Sequence, residues 1–292
     1  MSRMESLGGD AVADGADWIG RREVRWGALT PELAGMLNAA VSHDLSVERD
    51  TRAGARLPNL WHWAAFPVFV PLAELGLDGH PALGGFLPPL PFARRMWADG
   101  HLRSSGEMRI GEQLRRRSEI ASIIEKTGAA GPMVFVTVNH AVEGENGAFI
   151  EERQDIVYLD IPDRFTPPKK LPVPDDLLFD ETLPMNETRL FRYSATTFNA
   201  HRIHYDLPYA SDVEKYPALI VHGPMQATML IEAAKRHTDR KPRNFRFRES
   251  HPMFHDHALR LVGRPDPDAH AIDLGTAAPD GHLGMQARME WD

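Results

Sequence analysis

The sequence predicts an α+β protein made of two similar units, each with a helix packed on an antiparallel sheet. The chain has 292 residues, enough for two domains of about 100–150 residues each. In both halves, strand patterns follow one another without helices between them, which is typical of an antiparallel meander. Each run of strands is preceded by a helix pattern, so the order of elements repeats although the residues themselves show no repeat.

The first unit is predicted at residues 21–160, after a leader at residues 1–20 that we expect to be flexible. Thr30 and Pro31 are typical of a helix start, and apolar residues at helical spacing follow them. A dense apolar block at residues 61–70 suits a buried strand or a packed segment. Strands are predicted at residues 108–110, 118–125, 133–138 and 148–159.

Residues 161–186 are predicted to link the two units. Five prolines fall within the first sixteen of these residues, a composition that does not form regular structure. The second unit is predicted at residues 187–292, with a strand at residues 189–194 and a long helix at residues 221–237. Further strands are predicted at residues 244–249, 258–263, 270–274 and 283–291.

Composition excludes several classes of protein. The net charge is −8, so we expect no nucleic-acid partner and no anionic membrane surface as a partner. No apolar run reaches the roughly 18 residues of a membrane span. The absence of cysteine excludes disulfides, thiolate metal sites and cysteine nucleophiles. The first 20 residues lack the basic start and apolar run of a signal peptide, so we expect a cytoplasmic protein.

One polar segment, residues 191–206, concentrates side chains suited to proton transfer. It contains Asn199, His201 and His204, and histidine exchanges protons near neutral pH more readily than other side chains. Two histidines three residues apart also occur in metal sites and at plain surface positions. A metal would need a third ligand, and none follows at a recognisable spacing, so we predict no metal. The residues alone do not decide whether His201 and His204 form a catalytic site or are ordinary surface histidines.

A second informative piece is the start of the predicted helix, where Gly223 and Pro224 precede an apolar stretch. Backbone N–H groups in the first turn of a helix have no acceptor within the helix, and they carry partial positive charge. Such groups can hold an oxyanion. Because proline has no N–H, the donor would be Gly223 or Met225. On its own, Gly-Pro is more often an ordinary helix start.

Together, the segments TTFNAHRIHYD and VHGPMQATML resemble the MaoC-like, type 2 hydroxyacyl-thioester dehydratases. The resemblance implies a double hot-dog fold, with a degenerate N-terminal hot dog that shapes the acyl pocket and a catalytic C-terminal one. The family motif has the form Asp-x-Asn-Pro-x-His. Aligned on its last histidine, His204 takes the position of the catalytic histidine, Asn199 that of the aspartate and His201 that of the asparagine. The resemblance makes Gly223 the donor to the thioester oxygen.

The sequence departs from this motif where Asn199 stands in place of the aspartate. An amide cannot accept a proton as a carboxylate does. We favour a site in which His204 acts alone as general base while Asn199 orients the water, because Asn199 keeps the hydrogen-bonding geometry. Alternatively, Asp206 or His201 supplies a second protonatable group. The departure also leaves room for a site without activity.

The chain as a whole resembles the fused hydratases of mesaconyl-C4-CoA and itaconyl-CoA. This implies reversible hydration of a C5-dicarboxylic acyl-CoA to citramalyl-CoA, without a cofactor beyond the coenzyme A of the substrate. The alternatives are a 3-hydroxyacyl-thioester dehydratase of fatty-acid metabolism, an acyl-CoA thioesterase and a non-catalytic acyl-binding protein. A thioesterase would need a carboxylate near the helix start, and residues 221–230 contain none.

Coenzyme A phosphates are held by arginine and lysine. The candidates in the second unit are Arg243, Arg246 and Arg248, with Lys235, Arg236 and Lys241 close to them in sequence. We also expect a homodimer, because hot-dog sheets pair further.

A free carboxylate on the acyl group would need an arginine in the acyl pocket. The candidates are Arg94, Arg95 and Arg202. Three further residues within the two motifs are predicted to contact the substrate as well. These are Tyr205, Asp206 and Met225.

Overall fold

The structure is a computed structural model, and it describes residues 15–42, 49–128, 131–266 and 270–292. Within these residues the helices are α1 (Pro31–Val41), α2 (Glu187–Thr197) and α3 (Gly223–Thr238). The strands are β1 (Arg22–Gly27), β2 (Arg94–Ser105), β3 (Leu114–Gly128), β4 (Gly131–Glu143), β5 (Phe149–Leu159), β6 (Phe179–Leu183), β7 (Asn244–Glu249), β8 (Leu259–Pro265), β9 (Ala271–Ala277) and β10 (Leu283–Glu290). Residues 1–14 of the predicted leader lie outside the described residues.

All ten strands form one antiparallel sheet in the order β1-β3-β4-β5-β2-β7-β10-β9-β8-β6. Read from each outer edge, the two halves have the same order: first, third, fourth, fifth and second strand of the half. The described helices lie between the first and second strands of their half: α1 between β1 and β2, and α2 and α3 between β6 and β7. The predicted duplication of a helix-on-sheet unit, a double hot dog, is therefore confirmed by the topology.

The two halves join where their second strands pair, because β2 runs antiparallel to β7. Gly100 of β2 lies opposite Phe247 of β7. A methyl group built on Gly100 would lie 2.4 Å from the Phe247 ring, so the missing side chain leaves room for the ring. The joint brings the beginning of β2, at Arg94, towards the site formed by the second half.

Helix α3 is the central helix of the second half. Pro224 stands in its first turn and basic residues stand in its last turn, as expected from the sequence. Every residue from Met225 to Ala234 is buried, and the helix packs on strands β8, β9 and β10. Among the described residues, no helix is long and apolar enough to cross a membrane.

The first half covers α2 with α1 and with a short 3-10 helix, Trp61–Ala65. The Thr30 hydroxyl accepts a hydrogen bond from the Leu33 N–H at 3.3 Å, which explains the start of α1. The apolar block at residues 61–70 is thus a packed segment and contains no strand. Trp61 is completely buried there.

The strand predicted at residues 189–194 is wrong, because these residues lie in helix α2. The Asn186 side chain accepts a hydrogen bond from the Arg189 N–H at 2.9 Å and starts the helix. Leu190, Tyr193 and Ser194 are buried at the three- and four-residue spacing of a helix. The predicted strand at residues 108–110 is also absent: it forms a single bridge at Arg109.

The predicted linker at residues 161–186 contains the edge strand β6, which pairs with β8. Phe179 and Leu183 are buried while Asp180 and Thr182 are exposed, the alternation of a strand. The proline-rich composition just before β6 concealed this alternation. The segment without regular structure therefore ends before residue 179, and strands β1, β2 and β6 are additions to the predicted set.

Candidate active site

The turn that carries the predicted catalytic residues follows directly from the end of α2. Phe198 adopts the left-handed conformation, with φ of 53°, and ends the helix. The Asn199 side-chain oxygen accepts a hydrogen bond from the His201 N–H at 3.0 Å, which fixes the next turn. A short 3-10 turn, Arg202–His204, then places the second histidine. Asn199 thus shapes the turn through its oxygen, and its amide N–H groups remain available as donors.

His204 is buried and held in one tautomer. Its Nδ1 donates to the Ile220 carbonyl at 2.8 Å, so the lone pair lies on Nε2. Among the described residues, Nε2 has no partner. Burial lowers the pKa of His204 well below its ordinary value, and the neighbouring His222 and His201 lower it further. His204 is therefore a neutral base at neutral pH with an open nitrogen.

His222 is the residue just before helix α3, and its ring stacks on the ring of His204 with centroids 3.6 Å apart. It is completely buried, and its Nε2 shares a 2.8 Å hydrogen bond with the Ser194 hydroxyl. Burial lowers the pKa of His222 to about 3, so it too is neutral. The contact joins the candidate catalytic turn, residues 199–206, to the start of α3, as the two sequence motifs predicted.

His201 belongs to a chain of polar side chains that crosses between the two halves. Its ring lies 4.3 Å from that of His80, and His80 Nδ1 lies 3.1 Å from a carboxylate oxygen of Asp78. On the other side, His201 Nε2 lies 3.5 Å from the Glu214 carboxylate. Burial lowers the pKa of His80 to about 4. This chain orients His201 between two carboxylates.

Asp78, His80 and His201 also form the one group among the described residues with the side-chain types and spacing of a cation site. Their candidate ligand atoms all lie within 4.8 Å of one another. However, the Asp78 carboxylate already pairs with His80 and with the Arg95 guanidinium, at 3.4 Å. The positive charge of Arg95 disfavours a cation at this position.

Arg94 is buried beside the same cluster and forms an ion pair with Glu214, Nε to Oε2 at 2.8 Å. Its guanidinium also lies over the Tyr216 ring, 4.6 Å from the centroid. Burial alone would raise the pKa of Glu214, but the His201 hydrogen bond and the Arg94 charge lower it below its ordinary value. Arg94 is thus a buried residue of the first half that contacts this cluster through Glu214.

Arg202, Tyr205 and Asp206 stabilise the catalytic turn. Arg202 donates to Asp206 at 2.7 and 2.9 Å and lies over the Tyr209 ring, 4.2 Å from the centroid. Asp206 also accepts from the Tyr209 N–H at 3.1 Å, and the Tyr205 hydroxyl donates to the Ala200 carbonyl at 3.0 Å. In the structure, these three predicted substrate contacts form hydrogen bonds that hold the turn in place.

The start of α3 presents unpaired donors, as predicted. Within the described residues, neither the Gly223 N–H nor the Met225 N–H has an acceptor. The Met225 side chain is completely buried in the core. A methyl group built on Gly223 would lie 2.2 Å from Oε1 of Glu249, the last residue of β7. A carboxylate therefore stands next to the helix start, supplied by a distant part of the chain.

The predicted phosphate contacts lie elsewhere. Phe245 and Phe247 are buried on the α3 side of β7, and the residues between them, Arg246 and Arg248, are exposed. Since side chains alternate along a strand, these arginines face the opposite side of the sheet from Glu249. Arg243 is exposed and pairs with Asp292 at 2.6 Å. The structure does not bring these three arginines to the histidine cluster.

The site also contains side chains that the sequence did not single out: Asp78, His80, Glu214, His222 and Glu249. The His-Gly pair at the helix start drew attention to Gly223 but not to the histidine before it.

The duplicated helix-on-sheet unit defines a double hot-dog protein. Its neutral buried histidine and the free N–H groups of the nearby helix start are suited to thioester chemistry. The chain belongs to the hydroxyacyl-thioester dehydratase type 2 family, whose model matches residues 60–255. The family resemblance seen in the sequence is thereby confirmed, and with it the predicted enzyme class, a hydro-lyase.

Individual relatives agree with this family. The chain is 42% identical over 280 residues to mesaconyl-C(4)-CoA hydratase of Chloroflexus aurantiacus, covering 95% of this chain and 98% of the relative. A MaoC-like dehydratase of Phytophthora capsici superposes with a TM-score of 0.69 at 12% identity, over 96% of this chain and 98% of that one. A Mycobacterium tuberculosis protein described as a double hot dog gives a TM-score of 0.56 at 10% identity, over 94% and 96%. These structural likenesses support the fold.

Proposed function

We propose that the protein reversibly hydrates an α,β-unsaturated acyl-CoA, with a C5-dicarboxylic thioester such as mesaconyl-C4-CoA as substrate and citramalyl-CoA as product. The observation that carries this proposal is the neutral His204 with its open Nε2, whose ring stacks on His222, the residue directly before the free N–H groups at the start of α3. The identity to mesaconyl-C(4)-CoA hydratase supports the acyl group.

In the proposed reaction, the thioester oxygen accepts a hydrogen bond from the Gly223 N–H. This donor stabilises the enolate that develops when water adds to the β-carbon. His204 Nε2 takes a proton from the water, and Asn199 orients that water through its amide N–H groups. Because Asn199 lacks a carboxylate, the proton for the α-carbon must come from another group. The site residues are engaged with one another, and we propose that no metal or redox cofactor takes part.

One structural feature supports a dicarboxylic acyl group, a buried arginine with a nitrogen left free within the described residues. Arg94 lies buried at the cluster, and its hydrogen bonds to Glu214 use Nε and Nη2 only. The remaining nitrogen can hold a carboxylate at the end of the acyl chain. Arg202 uses all three of its nitrogens, two for Asp206 and one for the Leu77 carbonyl. Arg95 pairs with Asp78 and donates to the Pro81 carbonyl, so its contacts are with the loop of the first half. We therefore favour Arg94 among the three candidates.

Changing Arg94 to lysine should alter substrate preference. Lysine keeps the charge but cannot reproduce the guanidinium geometry, so kcat/KM for mesaconyl-C4-CoA should fall about tenfold more than that for crotonyl-CoA, a loss of about 1.4 kcal/mol. Arg115→Lys, which changes a partly exposed arginine of β3 paired with Glu143, is the control. If Arg94 only supports the fold, both substrates lose rate in the same proportion and the ratio stays unchanged.

A thioesterase is the second candidate. Residues 221–230 contain no carboxylate, but the structure places the Glu249 side chain next to Gly223. Burial raises the pKa of Glu249 to about 8, however, so at neutral pH it is mainly protonated and a poor base. Hydration is compatible with a protonated carboxyl group at this position, because the reaction needs an acid as well as a base.

The test follows the enoyl-thioester absorbance with mesaconyl-C4-CoA, itaconyl-CoA and crotonyl-CoA in parallel, together with free thiol. Loss of absorbance without thiol release, fastest for the dicarboxylic thioesters, is the expected result. A fast reaction with crotonyl-CoA alone would assign the fatty-acyl dehydratase alternative. Thiol release would assign the thioesterase, and binding without either reaction would assign an acyl-binding protein.

We further propose a cytoplasmic homodimer. The further pairing that is typical of hot-dog sheets supports the dimer. Sedimentation of the full chain measures it directly.

A further inference from the structure

Glu249 is a partly buried carboxylate that no contact within the protein explains. It is the last residue of β7, and its side chain lies on the same face of the sheet as Phe245 and Phe247, towards α3. In the described part of the chain it forms neither a hydrogen bond nor an ion pair. An unpaired carboxylate in such a position costs stability, and a group of this kind at a cleft is a candidate for function.

The carboxylate oxygen occupies the space that a side chain at position 223 would fill. A methyl group there would lie 2.2 Å from Oε1 and 3.3 Å from the carboxyl carbon of Glu249. Only glycine at position 223 allows this approach. The Gly223 N–H is the proposed donor to the thioester oxygen, and the α-carbon is bonded to the carbon that carries this oxygen. A group in contact with Gly223 is therefore within reach of the α-carbon.

His204 lies near the same helix start, because its ring stacks on that of His222, and His222 precedes Gly223 in the chain. The helix start therefore has two protonatable groups in its neighbourhood, an imidazole and a carboxyl group. Addition of water to a double bond needs this division of roles, because one proton leaves the water and another joins the α-carbon.

We propose that Glu249 is the catalytic acid that protonates the α-carbon during hydration, an inference that rests on the proposed function. Water attacks the β-carbon and gives a proton to His204 Nε2, while the Glu249 carboxyl group gives its proton to the α-carbon as the double bond opens. The enzyme is left with a protonated histidine and a carboxylate, and proton exchange with solvent restores both. In dehydration, Glu249 removes the α-proton and His204 protonates the departing hydroxyl group.

The surroundings of Glu249 keep it in the acid form. Residue 285, opposite it on β10, is a methionine, and the contact on α3 is with a glycine, so neither supplies charge. The titratable neighbour is Tyr216, whose pKa burial raises to about 12 and whose phenol stays neutral. Burial raises the pKa of Glu249 to about 8. A group that is protonated at neutral pH beside a neutral His204 provides the acid and the base that hydration requires.

This assignment also accounts for Asn199. In the family motif the second protonatable group is an aspartate at that position, and here an amide holds the turn. Of the alternatives suggested by the sequence, Asp206 is bound to Arg202 and to a backbone N–H, and His201 lies between His80 and Glu214. Unlike Asp206 and His201, Glu249 has no hydrogen-bond or ion-pair partner in the described part of the chain.

The first test compares wild type with Glu249→Gln, Glu249→Asp and the control Glu119→Gln. Glu119 is an exposed carboxylate of β3 paired with Arg22. Glu249→Gln should lower kcat for hydration by about 10²–10⁴-fold with little change in KM, because an amide has no proton to give. Glu249→Asp should recover part of the rate, and Glu119→Gln should match wild type.

The pH profile separates an acid from a merely structural group. For wild type, kcat should fall as pH rises through about 8, as the carboxyl group loses its proton. The residual hydration by Glu249→Gln should lack this alkaline decline. If the variant keeps kcat within threefold of wild type, or keeps the same alkaline decline, the assignment of Glu249 is overturned.

Thermal unfolding gives a readout independent of activity. The pKa of Glu249 is raised from an ordinary value of 4.5 to about 8, so the folded state binds more protons than the unfolded state between these values. Stability due to this group is therefore lost as pH rises from about 4.5 to 8. Glu249→Gln should melt higher than wild type at pH 9 and similarly at pH 4, where both side chains are neutral. Equal melting differences at both pH values would contradict a buried neutral carboxyl group.

The two proposals fail in distinguishable ways. If wild type hydrates no enoyl thioester, the proposed function fails, whatever the melting curves give. If wild type hydrates the substrate and Glu249→Gln does so equally well, the hydratase stands and only the role of Glu249 is lost.

Discussion

Replacing His204 by glutamine should reduce hydration by about 10²–10⁴-fold while the protein remains folded. Glutamine can still donate to the Ile220 carbonyl, so the buried hydrogen bond of 2.8 Å has a substitute. What disappears is the lone pair on Nε2, and with it the base that takes the proton from water. Steady-state kinetics with the best enoyl-CoA substrate measures the loss, and KM should change little.

The matched control is His257→Gln. His257 has a half-exposed side chain paired with the neighbouring Asp256, so its loss should leave the rate unchanged. The acid side of the wild-type pH profile provides a second check. Because burial lowers the pKa of His204 well below 6.5, kcat/KM should hold its value as pH falls through 6.5 and decline only at more acid pH. A His204→Gln enzyme with wild-type rate would remove His204 from the mechanism.

Two local patterns in the sequence were sufficient to locate the candidate active site. The polar segment at residues 191–206 and the helix start at Gly223 lie far apart in the chain, and the structure joins them through the stacked rings of His204 and His222. The helix start was readable because proline, glycine and an apolar stretch have fixed meanings at that position. The catalytic turn was readable from its residue types and from the family resemblance.

Other parts of the site could not be predicted, because they depend on contacts between distant residues. Asp78 and His80 come from the first half and meet His201 across more than a hundred residues. Glu249 was correctly placed at the end of a strand, but nothing in its local sequence indicates that this end lies against Gly223. Contacts between residues far apart in the chain produce no periodic pattern in the sequence.

The side of the sheet on which two predicted phosphate contacts lie follows from local physics. A strand at residues 244–249 has alternating faces, so the buried Phe245 and Phe247 already place Arg246 and Arg248 on the other side of the sheet from Glu249. The misassigned α2 is a harder case, because Asn186 is its start signal and the expected linker extended over it. The proline-rich composition before β6 drew the predicted boundary too far along the chain.

Changing Gly79 to alanine should disable the enzyme from the first half of the chain. Gly79 has φ of +87°, and a methyl group on it would lie 2.0 Å from the Ala200 carbonyl oxygen, a backbone atom that cannot move alone. Two hydrogen bonds join the same loop to the catalytic turn, from the Arg202 N–H to the Asp78 carbonyl at 2.9 Å and from the Arg202 guanidinium to the Leu77 carbonyl at 3.1 Å. The clash must therefore displace the turn that carries the histidines.

A displacement of about 1 Å in a catalytic group costs about 10²-fold in rate, and we expect a loss of at least that size in kcat for Gly79→Ala. The left-handed backbone itself costs alanine about 1–2 kcal/mol of stability, which must be separated from the clash. Gly54→Ala provides this separation, because Gly54 has φ of +82° and no atom within 4 Å of an added methyl group. Both variants should lose the stability due to the left-handed backbone in thermal unfolding, and Gly79→Ala should lose more because of its clash. Only Gly79→Ala should lose activity. Equal activity in the two would mean that the first half does not position the catalytic turn.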